Sequence, residues 1–93
     1  MVQLLSDAEI TERLNQLSGW HREGNKIQCT RELKDFPEAV NFVNKLVEPA
    51  ESAGHHPDLE ISYNQVTINL TSHGVGGLTE NDFNMAKTIS EII

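Results

Sequence analysis

Leu59-Glu60-Ile61-Ser62-Tyr63-Asn64-Gln65-Val66-Thr67-Ile68-Asn69-Leu70 alternates apolar and polar residues on both sides of its midpoint. Successive side chains of an extended strand point to opposite faces, so this alternation predicts a β-hairpin with one apolar and one polar face. With Asn64 and Gln65 as the loop, Tyr63 falls opposite Val66, Ile61 opposite Ile68, and Leu59 opposite Leu70. These six share one face, and Ser62 with Thr67, Glu60 with Asn69, and Asp58 with Thr71 share the other. A slip by one residue would turn the apolar set towards water. One further step in this register sets His56 across from His73.

The same unit occurs earlier in the chain. Trp20 to Glu23 and Lys26 to Leu33 read as two strands around the loop Gly24-Asn25. Helical patterns surround both hairpins. Ser6-Asp7-Ala8-Glu9 is a capping box, and a helix from about Asp7 to Leu17 follows, ended by Gly19. Pro37 suits the first turn of a second helix carrying Ala39, Val40, Phe42, Val43, Leu46 and Val47. Pro49 predicts a kink in that helix, or an early end with a further turn up to Gly54. Thr79 caps a last helix running to Ile93, with Met85, Ala86, Ile89, Ile92 and Ile93 as its apolar material. The order α-ββ-α-ββ-α predicts an α+β, two-layer fold: a four-stranded antiparallel sheet with three helices packed on one face.

Ninety-three residues suit one small domain, here residues 1-93, and leave no room for two. Hydrophobic content of 38% and charged content of 23% are those of a soluble globular chain. Cys29 is alone, so no intrachain disulfide forms. The start, Met1-Val2-Gln3-Leu4-Leu5, is too short and uncharged for a secretory signal, and no apolar run approaches a membrane span. A cytoplasmic location is the expectation. The net charge of -7 argues against nucleic-acid binding, which needs clustered Lys and Arg to displace counterions.

Chemistry gathers between Glu51 and Asp82. Three of the four histidines lie there, as His55-His56-Pro57 and His73, flanked by those two carboxylates. Imidazole titrates nearest neutrality, so clustered His with carboxylates is what proton transfer at physiological pH requires. Adjacent strand residues face opposite ways, so His55 and His56 meet one ligand only if the chain bends between Gly54 and Pro57. Structural roles compete with this reading. Thr79-x-x-Asp82 before an apolar helix is also a capping box, although a capping Asp can orient a histidine as well. Tyr63 suits a core strand end as much as a substrate contact, and Trp20 offers a stacking face but is more often core. Zinc or iron is the rival chemistry. Against it, adjacent histidines rarely share one metal, and the chain has neither a His-x-x-x-His motif nor a Cys pair.

The spacing Glu51, three residues, His55-His56-Pro57, five residues, Tyr63, nine residues, His73, eight residues, Asp82 is that of a known signature. It closely resembles the pterin-4a-carbinolamine dehydratases, also called dimerisation cofactors of a hepatocyte nuclear factor, and the similarity extends over most of the chain. The resemblance implies dehydration of a 4a-hydroxytetrahydropterin to the quinonoid dihydropterin, in recycling of the cofactor spent by aromatic amino-acid hydroxylases. It implies His55 and His73 as the acid–base pair, His56 as a group that binds or orients the pterin, and Glu51 and Asp82 as tuning carboxylates. Pro57 and Tyr63 complete the implied binding set, with no metal and no cofactor, and Trp20 joins it only as the stacking face noted above. The family's helix normally continues smoothly where Pro49 stands here. The resemblance also implies a homodimer or homotetramer joined edge to edge and through helices. Its other implication is a non-enzymatic role, since some members bind a transcription factor's dimerisation helices and some relatives act as assembly factors. Those relatives have an eroded His motif, whereas here it is intact.

Overall fold

The computed structural model describes residues 3–92, in the order α1 (Asp7–Leu14), β1 (His21–Glu23), β2 (Lys26–Glu32), α2 (Phe36–Ala53), β3 (Asp58–Ser62), β4 (Gln65–Leu70), a single 3-10 turn (His73–Val75) and α3 (Glu80–Ile92). The four strands form one antiparallel sheet in the order β1-β2-β4-β3. Each hairpin is local, and the β2–β4 ladder joins them, with Ile27 opposite Leu70 and Cys29 opposite Ile68. One sheet face is apolar and is buried along β2 and β4: Ile27, Cys29, Val66, Ile68 and Leu70 pack with Phe42 and Leu46 of α2 and with Phe83, Ala86 and Ile89 of α3. The other face carries polar pairs, Gln28 bonding Asn69 at 2.8 Å and Thr30 beside Thr67 at 3.4 Å. This is the two-layer α+β architecture that the pattern predicts.

Local rules account for the helix ends. Ser6 accepts from the Glu9 amide and Glu9 accepts from the Ser6 amide, the reciprocal capping box. Asp35 caps α2 by accepting from the Glu38 amide at 3.0 Å, and Pro37 sits in the first turn, where it has no amide bond to lose.

Four expectations are corrected. Helix α1 stops at Leu14 rather than Leu17: Asn15, Gln16 and Leu17 donate to Thr11, Arg13 and Leu14 in closing turns. Helix α2 runs unbroken through Pro49 to Ala53, with no early end. It lacks one hydrogen bond there, and the burial of Leu46 and Ala50 on either side of Pro49 holds it to the sheet. In the second hairpin the loop is Tyr63-Asn64, so Ser62 pairs with Gln65, Ile61 with Val66 and Leu59 with Ile68. That is a shift of two residues, which keeps every side chain on its expected face but moves Tyr63 out of the strand. The ladder begins at Asp58 opposite Asn69, so the pairing of His56 with His73 does not occur. On α3, Ile89 is fully buried and Ile92 partly buried against the core. Ile93, Met1 and Val2 lie outside the described residues.

Candidate active site

The bend that separates the two adjacent histidines comes from the end of α2. Gly54 takes a left-handed conformation (φ 62°, ψ 29°). Its amide donates to Glu51 O at 3.3 Å and the His55 amide to Ala50 O at 3.2 Å, the paired bonds of a Schellman turn. The chain therefore leaves the helix sharply, and Pro57 delays the start of β3 until Asp58.

His55 turns inward. Its Nε2 lies 2.5 Å from Asp82 Oδ1, its side chain is 13% exposed, and Asp82 is fully buried. Asp82 occupies the first turn of α3, where its second oxygen accepts from the Thr79 amide and from the Ser72 hydroxyl, both at 2.9 Å. Both sequence readings of Asp82 therefore hold at once, one carboxylate oxygen capping the helix and the other meeting the histidine. Because the carboxylate accepts at Nε2, the neutral ring carries its proton there and Nδ1 keeps the lone pair.

His56 turns the other way. Its Nε2 pairs with Glu51 on the last turns of α2, and both side chains are mostly exposed. Glu51 stands within reach only because α2 continues past Pro49. His73 opens the 3-10 turn that follows β4, with Nε2 3.4 Å from Asp58 Oδ2, in an exposed pair. That turn is closed by Gly76 in a left-handed conformation (φ 74°) and by a bridge between Ser72 and Gly77.

His55, His56 and His73 all line one open cavity of about 310 Å³, together with Gly54, Thr71, Ser72, Gly74, Val75 and Asn81. A bicyclic heteroaromatic molecule fits a site of that size. Of the other expected site residues, Glu51 and Asp82 each hold one of these imidazoles, and Pro57 lies beside His56 in a small apolar groove against α2. Tyr63 lies in the loop at the far end of β3, 67% exposed and with φ 51°. Trp20 is buried, and its indole N–H donates to Ser90 at 3.0 Å on the inner side of α3. Neither aromatic lines the histidine cavity. Asp58, Ser72 and Asn81 were not expected at the site. Correct hairpin register points to Asp58, because it puts that carboxylate at the ladder end nearest His73. Ser72 and Asn81 carry no sequence signal of their own.

Residues 3–92 match the family model described as pterin 4 alpha carbinolamine dehydratase. A candidate pterin-4-alpha-carbinolamine dehydratase of Trichormus variabilis is 65% identical over 92 residues, covering 99% of each chain. One from a Roseiflexus species is 52% identical over 93 residues, covering all of both. Among solved structures, a transcriptional coactivator/pterin dehydratase from Brucella melitensis superposes with a TM-score of 0.92 at 33% identity, covering 97% of this chain and 98% of that one. A pterin dehydratase-like protein identified as a RuBisCO assembly factor of the alpha-carboxysome shares the fold (TM-score 0.67) at 18% identity, covering 80% of this chain and 88% of that one. The chain belongs to the pterin-4a-carbinolamine dehydratase family.

Proposed function

We propose that this chain is a hydro-lyase that dehydrates a 4a-hydroxytetrahydropterin to the quinonoid dihydropterin. The observation that carries the reading is the buried His55–Asp82 pair at the wall of a cavity that His73 also lines. The reaction removes a proton from N5 and hydroxide from C4a, leaving a C4a=N5 double bond. His55, held by Asp82 with its Nδ1 lone pair free, takes the N5 proton. His73, whose Nε2 lies 3.4 Å from the Asp58 carboxylate, gives its proton to the departing hydroxyl. Solvent at the open cavity then returns each imidazole to its starting state. His56, held by Glu51, contacts the pterin ring system from the side of α2.

The described chain acts as one domain, works in the cytoplasm in recycling of the pterin cofactor, and needs neither metal nor cofactor of its own. It associates as a homodimer or homotetramer. The exposed edge strand β3 and the apolar groove of about 170 Å³ between β3 and α2 support association. The acidic balance directs any further partner to protein contact rather than nucleic acid. No helix of the described residues is long and apolar enough to cross a membrane.

The test is to generate the 4a-hydroxypterin with a hydroxylase and follow its absorbance with and without this protein. The expected result is faster decay, unchanged after prolonged chelation of the protein. Decay at the uncatalysed rate contradicts the proposal, and activity lost to the chelator and restored by zinc promotes a metal mechanism instead.

A further inference from the structure

We propose that Ser72 is a positioning residue that ties the placement of His55 to the placement of His73. The inference rests on the proposed acid–base roles of these two histidines.

Proton counting around Asp82 gives every bond a direction. An ionised carboxylate only accepts, so Ser72 donates its single hydroxyl proton to Asp82 Oδ2 at 2.9 Å. Ser72 Oγ must then accept from Thr79 Oγ1, 2.8 Å away. Thr79 Oγ1 in turn accepts from the Asn81 amide at 3.2 Å. The result is a one-way relay from the α3 N-terminus through Thr79 and Ser72 to the carboxylate whose other oxygen holds His55. Asp82 Oδ2 also accepts from the Thr79 amide at 2.9 Å, so the carboxylate plane of fully buried Asp82 is held by the helix end and by the Ser72 hydroxyl together.

The backbone of Ser72 performs a separate task. Its amide donates to Gly77 O at 2.9 Å, and its carbonyl accepts from Val75 at 3.1 Å and Gly76 at 3.0 Å. Those bonds build the turn that begins with His73. Side chain and main chain of one residue thus anchor the base and the acid. A shift of Ser72 changes their mutual geometry, to which proton-transfer rates are steeply sensitive.

The test compares Ser72→Ala with the hydroxyl-retaining Ser72→Thr. Ser72→Ala should lower kcat by about 10-fold or more with KM nearly unchanged, and Ser72→Thr should recover most of the rate. The 15N resonances of the His55 ring, recorded without substrate, should move in Ser72→Ala towards a mixed tautomer population and stay near the wild-type values in Ser72→Thr. If Ser72→Ala does not fold, Ser72→Cys, whose thiol is a weak donor, should give the same pattern. Wild-type kcat together with wild-type His55 resonances in the Ala (or Cys) variant would overturn the inference, as would a rate loss with unmoved resonances. Should the wild-type protein dehydrate no pterin while the His55 resonances still respond as expected, the functional reading fails and the positioning role stands.

Discussion

His55 and His56 are neighbours in the chain, yet their Nε2 atoms meet carboxylates on different helices, Asp82 on α3 and Glu51 on α2. The two pairs differ in exposure. The first has side chains 13% and 0% exposed, the second 60% and 68%. Charge interactions weaken as the surrounding dielectric rises, so the inner pair holds its geometry firmly and the outer one is screened and adjustable. Under the proposed roles this sets a fixed base beside a compliant binding group, a workable division of labour for a substrate that must enter and leave.

Substituting Asp82 should separate its two duties. Asp82→Asn keeps an oxygen for the helix cap but no longer demands the Nε2–H tautomer, and should lower the dehydration rate by about 10²-fold while the protein stays folded. Asp82→Ala should in addition lose roughly 1 kcal/mol of stability from the missing cap. Steady-state rates and urea unfolding measure both, and a fully active Asp82→Asn protein rules out the proposed role.

His73→Ala should cost about 10²-fold in rate. Its stability should change by less than about 0.5 kcal/mol, because the His73–Asp58 pair is exposed. His56→Ala should act mainly on KM. If His56→Ala alone is inactive while His73→Ala is not, the acid has been assigned to the wrong residue.

Pro49→Ala should stabilise the protein, by about 1 to 3 kcal/mol, by restoring the amide bond to the Lys45 carbonyl within an otherwise continuous helix. The midpoint of chemical denaturation reads this directly. Lower stability in the variant indicates that the ring makes packing contacts worth more than the missing bond.

Burial pushes the Cys29 thiol up from its ordinary range, so the reactive thiolate is scarce at neutral pH. Alkylation by iodoacetamide at pH 7 should be far slower in the folded protein than in urea. It should accelerate as pH rises, since the folded-state thiol loses its proton only at higher pH. Equal rates in the two states would mean that the β2 core opens readily.

Light scattering at micromolar concentration should return a mass at least twice 10.4 kDa. Val47, Ile61 and Tyr63 are 56%, 39% and 67% exposed along the β3 side of the molecule, which a monomer leaves in water. A 10.4 kDa particle across the range excludes the assembly.

Much of this was legible from residue order, and the misses have physical causes. Alternation assigned the faces of β3 and β4 correctly because face depends only on odd or even position, which a shift of two leaves unchanged. The loop itself is set by contacts the alternation does not contain: Leu33 donates to Asn64 O at 2.7 Å, and the Asn64 side chain donates back to Leu33 O at 3.1 Å. With Asn64 held on β2, Tyr63 takes the strained left-handed corner. Pro49 was read from its local cost, and packing on both sides outweighed that cost. The carboxylate–histidine pairs were legible as spacing, but which carboxylate meets which ring depends on the turn at Gly54. The Ser72 relay is a tertiary arrangement with no local signature.

The two glycines that bend the chain on either side of the cavity set different limits on sequence change than a packed core does. A methyl group built on Gly54 or on Gly76 would meet no atom within 4 Å. Volume is free at both positions and torsion is not. Replacement should therefore follow backbone preference alone, with asparagine or aspartate tolerated because they enter the left-handed region at small cost and valine or isoleucine rejected. The site's geometry is thus held at its corners by a demand on dihedral angle, which no change in the size or polarity of neighbouring residues can compensate.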